Sequence, residues 1–170
     1  MSGISVRTRR DLRAQRRRRP PSCLGHLIAA PLWPMHGANL GTLLRTCDAV
    51  GACLAVPRLP WVPEALAKGN TLRHRACVHW VRPLPWLAEC RERGHHVLGV
   101  ELAEEAVRLA GLPMARRPTV VVLGHEAHGI PAEALDLLDA AVEIPMIGTG
   151  ASLNVAVAGS LVLYKLAGFA

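Results

Sequence analysis

The sequence predicts an α/β fold built on a mainly parallel sheet. Short apolar runs alternate along the chain with segments of helical periodicity, and Thr119–Leu123 is the clearest candidate for a buried strand. Strands that alternate with helices favour parallel pairing, because each helix carries the chain back across the sheet. Hydrophobic residues make up 51% of the 170 residues, so the chain can bury a full core. Ligand sites in such folds form at the carboxyl ends of the strands.

The individual elements follow from local patterns. Apolar or β-branched runs predict strands, apolar residues three to four positions apart predict helices, and a proline at the first helical position marks a helix start. Strands are expected at Leu24–Ala30, Cys53–Val56, Ala76–Val81, Val97–Val100, Thr119–Leu123 and Val142–Pro145. Helices are expected at Asn39–Val50, Pro83–Arg93, Pro131–Leu138 and Ser152–Leu166. Three prolines make Pro57–Arg75 irregular, with room for one short helix at Pro63–Lys68.

The positive charge of the chain is concentrated at its amino terminus. Residues 1–20 contain eight of the 20 basic residues and one acidic residue, Asp11, so this segment carries the whole formal net charge of +7. We expect residues 1–21 to form a disordered tail and residues 22–170 to form one domain, divided at Pro20-Pro21. Such a tail binds phosphate backbones; the alternatives are a solubilising tail or residues added by an upstream start codon. The predicted RNA-binding residues are Arg7, Arg9, Arg10, Arg13, Arg16, Arg17, Arg18 and Arg19.

Cysteine usage and hydropathy argue against several classes of protein. The five cysteines show no C-x-x-C spacing, which argues against a disulfide framework and a zinc site and fits reduced thiols in a cytoplasmic protein. His125 and His128 are three positions apart in a loop, whereas the metalloprotease pattern needs histidines four apart on a helix. We therefore predict no metal. No apolar run approaches the roughly 20 residues of a membrane span, so we also predict no membrane association.

The segment from Ile144 to Ala158 is the strongest indication of a ligand site. A strand is expected to end at Ile144-Pro145-Met146, a glycine-rich turn follows, and a helix is expected to begin at Ser152 with Asn154 in its first turn. Polar side chains at a helix start lie beside unpaired N–H groups, which makes this a place to hold a ligand. The structural alternative is a serine cap with an asparagine in the first turn.

The first predicted helix carries a second group of polar residues. Asn39 lies at its N-cap end, and Gly41, Arg45 and Asp48 share one face. Arg45 and Asn39 are the candidate functional residues here. Each also has a purely structural alternative, since Arg45 can pair with Asp48 and Asn39 can cap the helix.

The loop after the strand Thr119–Leu123 contains two glycines and a single acid. Gly124 permits close approach to the backbone, and Gly129 permits a tight turn. Glu126 either orients this loop or the substrate, or caps the next helix.

These segments resemble, in order, the three signature motifs of the SpoU (TrmH-like) RNA methyltransferases, a branch of the SPOUT superfamily. The matching segments are Asn39–Gly51, Val122–Ile130 and Ile144–Ala158, within a resemblance that runs from about Gly25 to about Ala167. The resemblance implies a deep C-terminal trefoil knot that forms the pocket for S-adenosyl-L-methionine. It also implies 2′-O-ribose methylation of RNA by a homodimer, with tRNA favoured over rRNA.

The resemblance also implies roles for individual residues. The implied catalytic residues are Asn39, Arg45, Glu126, Ser152 and Asn154. The implied cofactor contacts are Leu123, Gly124, Ile144, Met146, Ser152 and Leu153. Arg45 is expected to act as a fixed cation that stabilises a developing alkoxide, since a guanidinium gives up its proton too reluctantly to be a base. The small residues Ala156, Gly159 and Ser160 are expected to let the last helix pack against a neighbour, which in this family makes the homodimer.

Two other functions remain alternatives. A catalytically silent RNA-binding dimer would keep the same fold without turnover. A dinucleotide-binding dehydrogenase is disfavoured, because Ala30 leads into Pro31 and no G-x-G-x-x-G follows the first strand.

Overall fold

The computed structural model describes residues 25–69, 72 and 77–170. The strands in these ranges are β1 (Leu27–Pro31), β2 (Cys53–Pro57), β3 (Val78–Val81), β4 (His96–Val100), β5 (Val107–Arg108), β6 (Thr119–Leu123) and β7 (Ala140–Glu143). The helices are α1 (Gly37–Val50), α2 (Val62–Gly69), α3 (Pro83–Glu92), α4 (Ala132–Leu135) and α5 (Val155–Leu166), with a 3₁₀ turn at Leu109–Gly111. The predicted tail with its eight arginines lies outside the described residues.

The strands of the described ranges form one seven-stranded sheet in the order β3-β2-β1-β6-β4-β7-β5. Their pairings are all parallel, and the central pair runs in register from Leu27 opposite Thr119 to Pro31 opposite Leu123. The α/β fold with a mainly parallel sheet is therefore confirmed. Because parallel strands end at the same edge, the loops after β1, β6 and β7 lie at one side of the molecule. The trefoil knot stays a prediction.

Two apolar layers cover the sheet. On one face α1, α2 and α5 pack on residues such as Leu27 and Val121. On the other face α3 and α4 pack on residues such as Ile28 and Val120. The strand β6 is buried on both faces, which explains its unbroken β-branched run and why its predicted bounds are confirmed. No helix of the described residues has the length and apolar character needed to cross a lipid bilayer.

The last helix begins three residues later than predicted. The backbone of Asn154 is extended (φ −53°, ψ 135°), and its side chain caps α5, so Ser152 lies in the preceding loop and Asn154 precedes the first turn. The preceding strand is also displaced, since β7 occupies Ala140–Glu143 rather than Val142–Pro145. The strand ends before Pro145, because proline has no N–H to donate to a neighbouring strand. Its start at Ala140 was not predicted, because alanine has a weak β propensity.

The first helix begins two residues earlier than predicted. Its N-cap is His36, so Asn39 lies inside the first turn and does not cap it. The first residue of the helix is a glycine, and a Cβ there would lie 2.7 Å from the Cβ of Ala65 on α2. Glycine at this position lets α1 pack directly on α2.

Candidate active site

A chain of hydrogen bonds joins the three motif segments at the carboxyl edge of the sheet. Asn154 accepts from the backbone N–H groups of Ala156 (2.9 Å) and Val157 (3.3 Å) through Oδ1. Its Nδ2 donates to Oδ1 of Asn39 at 3.0 Å. Nδ2 of Asn39 in turn donates to Oε1 of Glu126 at 2.8 Å. We call Asn39, Glu126 and Asn154 the polar network.

The polar network has a fixed direction. The helix N–H groups of α5 require an acceptor, so the oxygen of the Asn154 amide must face them and its nitrogen must face Asn39. The Asn39 amide is then oriented by the same logic. Its side chain is only 7% exposed, and both of its polar atoms have partners. A buried amide with every atom satisfied is held rigidly, because any rotation leaves a donor or an acceptor without a partner.

Glu126 is the last member of this series of hydrogen bonds, and it lies at the start of α1. Besides Asn39, its carboxylate accepts from the backbone N–H groups of Met35 (2.8 Å) and His36 (3.1 Å). The predicted alternative, that Glu126 caps the next helix, is therefore wrong. The carboxylate binds the residues that precede α1, whereas the next helix along the chain is α4. Burial acts to raise the pKa of this carboxyl, but the hydrogen bonds from Asn39, from Met35 and His36, and from its own backbone outweigh it and hold the pKa below the ordinary range.

The glycines around Glu126 close the loop on itself. A Cβ at Gly124 would overlap the backbone of Gly129 and lie 2.5 Å from the nitrogen of Ile130. Gly129 has φ +70°, as the predicted tight turn requires. The missing side chain at Gly124 thus serves the loop itself, because Gly129 and Ile130 approach closer than a Cβ would allow.

Glu101, which belongs to none of the three motif segments, holds this loop from the neighbouring strand. It follows β4, which lies between β6 and β7, and its Oε2 accepts from the N–H of Ile130 at 3.0 Å. A lone acid directly after a predicted strand was the available signal, but nothing in the local pattern linked it to a loop 29 residues away.

Arg45 lies apart from the polar network. It is exposed on α1, six residues after Asn39, which places it about 240° further around the helix. Within the described ranges its guanidinium has no hydrogen-bond or ion-pair partner, so the predicted pairing with Asp48 does not form. Arg45 borders two hollows, one of about 570 Å³ beside Trp61 and one of about 320 Å³ beside Tyr164.

The sequence model of the SpoU rRNA Methylase family matches residues 33–164 of this chain. The chain belongs to the SpoU family. It is 38% identical over 135 residues to a tRNA (guanosine(18)-2′-O)-methyltransferase of Thermus thermophilus, a match that covers 75% of this chain and 66% of the relative. The chain thus spans less than two thirds of the length of that relative.

Two solved structures share the fold. An AdoMet-bound rRNA methyltransferase from Sinorhizobium meliloti matches with a TM-score of 0.71 and 26% identity, over 84% of this chain and 56% of that one. A second structure, described as giving insights into the 2-OH methylation of C/U34 on tRNA, matches with a TM-score of 0.69 and 25% identity. This match covers 85% of the present chain and 97% of the other.

The structure brings together only part of the site predicted from the SpoU motifs. Asn39, Glu126 and Asn154 meet in the polar network, whereas Arg45 lies on another face of α1 and Ser152 is exposed in the loop. Of the predicted cofactor residues, Leu123 is buried at the end of β6, and Gly124 and Ile144 are half-buried. Met146 and Leu153 are exposed in the loop between β7 and α5. The catalytic and cofactor roles themselves stay predictions.

Proposed function

We propose that this SpoU chain is an S-adenosyl-L-methionine-dependent RNA 2′-O-ribose methyltransferase that acts on tRNA. The observation that carries the proposal is the polar network. It draws residues from all three motif segments to the carboxyl edge of a parallel sheet, where α/β folds bind their ligands. The deep trefoil knot, the cytoplasmic location and RNA contact by the arginine tail are parts of the same proposal.

The chain's side chains suit the cofactor. Met146, Ile147 and Leu153 are exposed apolar side chains in the loop after β7, and exposed apolar surface of this kind is suited to cover an adenine ring and a thioether chain. β6 and β7 are separated by β4, so their following loops lie about 10 Å apart, which suits a ligand of nucleoside size. When bound, S-adenosyl-L-methionine supplies an electrophilic methyl group on a sulfonium sulfur.

Arg45 is assigned to the ribose and its phosphate. The hydroxyl that receives the methyl group loses its proton, and a fixed cation stabilises the negative charge that develops on oxygen. Since Arg45 has no protein partner among the described residues, its five N–H donors are available to a phosphate in bidentate geometry. The hollow beside Trp61, which Arg45 borders, is large enough to admit a nucleotide.

The polar network is assigned to positioning. Its three side chains use their polar atoms on one another and on the two helix starts. It therefore fixes the starts of α1 and α5 relative to the loop after β6. Ser152, with no hydrogen-bond partner among the described residues, is assigned to the substrate.

The choice of tRNA rests on the relatives. The Thermus thermophilus relative is named for guanosine 18 of tRNA, and the structure that this chain covers almost completely is described for C/U34 of tRNA. Both are positions in tRNA, which favours tRNA over rRNA as the substrate class.

We further propose a homodimer that completes the site. The small face of α5 does not supply the interface, because Ala156 is buried and a Cβ at Gly159 would lie 2.7 Å from Leu123 and 2.9 Å from Leu43 of the same chain. The opposite face carries Val157, Leu161 and Tyr164, which are 47%, 41% and 39% exposed and form one apolar stripe.

The position of this stripe links the interface to catalysis. Tyr164 and Arg45 border the same hollow, so a second copy seated on the stripe would lie beside Arg45. Leu161→Glu should give monomers in light scattering and abolish methyl transfer. Leu135→Glu places the same charge at an equally exposed leucine on α4 and should leave the dimer intact. A wild-type chain that is monomeric at assay concentration would refute the dimer.

The activity is tested by transfer of labelled methyl groups from S-adenosyl-L-methionine to unmodified tRNA and rRNA, followed by nucleoside analysis. We expect a 2′-O-methyl nucleoside in tRNA. Arg45→Ala should lower kcat/KM by about 100-fold to 1,000-fold, and Arg45→Lys should also be damaging because lysine cannot bind bidentately. Arg116→Ala, at another exposed arginine, is the matched control. Tight RNA binding without transfer to either pool would favour the catalytically silent dimer.

A further inference from the structure

A group of side chains that can bind a metal lies at the amino-terminal ends of β2 and β3, opposite the carboxyl ends of the strands. Cys53 is the first residue of β2, Cys77 directly precedes β3, and His79 lies within β3. One ligand atom from each of the three, Sγ of both cysteines and a ring nitrogen of His79, lies within 4.8 Å of the others. The candidate active site is at the carboxyl ends of the strands, about 13 Å away along β2, so the two sites are separate.

Strand pairing explains how these residues meet. β2 and β3 are parallel with Leu54 opposite Val78, and the N–H of Leu54 donates to the carbonyl of Cys77 at 3.0 Å. The register therefore places Cys53 beside Cys77. Residues two apart on a strand face the same side, so His79 projects on the side of Cys77. The backbone fixes all three positions without any contribution from a ligand.

We propose that Cys53, Cys77 and His79 bind a thiophilic metal ion, Zn²⁺ in the first instance, with one coordination position open to solvent. Two thiolates and a neutral imidazole form a donor set that zinc prefers. Binding converts two thiols and one Zn²⁺ into a neutral bis-thiolate complex and releases two protons to solvent. Charge neutrality matters here, because Cys53 is fully buried and an unbalanced charge beside it would be costly.

The separations of the ligand atoms are within about 1 Å of those that a tetrahedral zinc site requires. Sγ of Cys77 and Nε2 of His79 are 3.4 Å apart. Zinc bonds of about 2.3 Å to sulfur and about 2.0 Å to nitrogen require ligand atoms roughly 3.5–3.8 Å apart. The longest of the three separations, at most 4.8 Å, thus needs a contraction of about 1 Å, which side-chain rotation supplies.

The other buried cysteines of the described ranges do not belong to this group. Burial raises the pKa of the Cys47 thiol to about 12, and its Sγ donates to the carbonyl of Cys53 at 3.3 Å. Burial likewise raises the pKa of Cys90, on α3, to about 11. Both thiols pack in the core. Cys90 therefore serves as a control thiol.

A metal ion at this site is expected to hold the edge strand β3 to β2. In the described part of the chain β3 pairs only with β2, and it is four residues long. A metal ion bound to Cys53 on one strand and to Cys77 and His79 on the other would join the two strands through its coordination bonds. Since the folded chain holds the three ligands together and should bind the ion more tightly than the unfolded chain does, saturating Zn²⁺ should raise the Tm by roughly 5 °C.

The experiment uses the full chain, reduced and stripped of metal by chelation. Zn²⁺ is titrated against a chromophoric chelator, and Co²⁺ is used as a spectroscopic substitute. We expect one equivalent of Co²⁺ to bind with a thiolate-to-cobalt charge-transfer band, and Zn²⁺ to displace it. Cys77→Ser and His79→Gln, both at half-buried positions, should each weaken binding by at least about 100-fold. Cys90→Ser should bind as the wild type does.

Two results would overturn the proposal. One is a wild-type chain that shows no charge-transfer band with Co²⁺. The other is a lack of specificity among the variants. Metal binding would then survive in both Cys77→Ser and His79→Gln, or Cys90→Ser would weaken it as much as those two variants do. None of these measurements depends on methyl transfer, so the metal site and the proposed enzymatic function fail or succeed separately.

Discussion

The polar network differs from the exposed residues Arg45 and Ser152 in how many of its polar groups have hydrogen-bond partners within the protein. In the network every amide and carboxylate has a partner inside the chain, and Asn39 is almost fully buried. Arg45 and Ser152 have no hydrogen-bond or ion-pair partner among the described residues. Residues that are satisfied without a ligand define the shape of a site, whereas polar residues left unsatisfied at its surface are available to the substrate. Mutations in the two groups should therefore separate stability from activity.

The largest effect on stability should come from Gly124→Ala. The added Cβ would overlap the backbone of Gly129 and Ile130, and backbone cannot move aside as a flexible side chain can. We expect the free energy of unfolding to fall by about 3 kcal/mol in urea denaturation. Gly148→Ala is the control, because nothing lies within 4 Å of its Cβ. Equal stability of the two variants would show that the loop is not closed as described.

Asn39→Leu should be the next most damaging. It leaves Nδ2 of Asn154 without its acceptor and removes one donor from Glu126, so the free energy of unfolding should fall by about 2 kcal/mol. Thr42→Val on the same helix removes an exposed hydroxyl that donates to Ala38, and it should change stability by less than about 0.5 kcal/mol. If Asn39→Leu proved as mild as this control, the network would not hold the helix starts together.

Glu126→Gln should have a smaller effect that depends on pH. The folded pKa of Glu126 lies below its unfolded value of about 4.3, so the carboxylate stabilises the fold above that pH. The stabilisation is lost as the pH falls through the unfolded value and then the folded one. The Tm difference between wild type and Glu126→Gln should therefore be present at pH 7 and disappear in acid. A difference that stays constant would exclude the charge as its cause.

Ser152→Ala should have the smallest effect on stability and a clear effect on turnover. The side chain is exposed and does not cap α5, so the free energy of unfolding should change by less than about 0.5 kcal/mol. Loss of one hydrogen bond to substrate should lower kcat/KM by roughly tenfold. Asn154→Ala offers the contrast, since losing the cap should cost about 1 kcal/mol. A stability loss in Ser152→Ala equal to that of Asn154→Ala would remove the distinction between the two groups.

The sequence predicted the fold better than it predicted the site, for a physical reason. The run Thr119–Leu123 has four β-branched residues followed by a leucine, and a local pattern of that kind suffices to predict a buried strand. Ser152 and Asn154 are both good capping residues, so the pattern could not decide which one begins α5. The link from Asn39 to Glu126 spans 87 residues and the link to Asn154 spans 115, and no local pattern reports such contacts.

The group formed by Cys53, Cys77 and His79 could not be predicted from the sequence either. Cys53 and Cys77 are 24 positions apart in the chain, whereas the spacings that predict a metal site from sequence are close ones within a loop or a helix. Their approach follows from the pairing of β2 with β3, which becomes visible only once the register is known.

The long separations within the polar network also have a consequence for the order of events in folding. Closing chains of 87 and 115 residues is entropically costly, and contacts of this range form late. During synthesis the amide of Asn39 lacks its full set of partners until Asn154 has left the ribosome. A chain interrupted between Glu143 and Asn154 would hold the described strands and the bond between Asn39 and Glu126, but it would lack the bond that joins them to the start of α5.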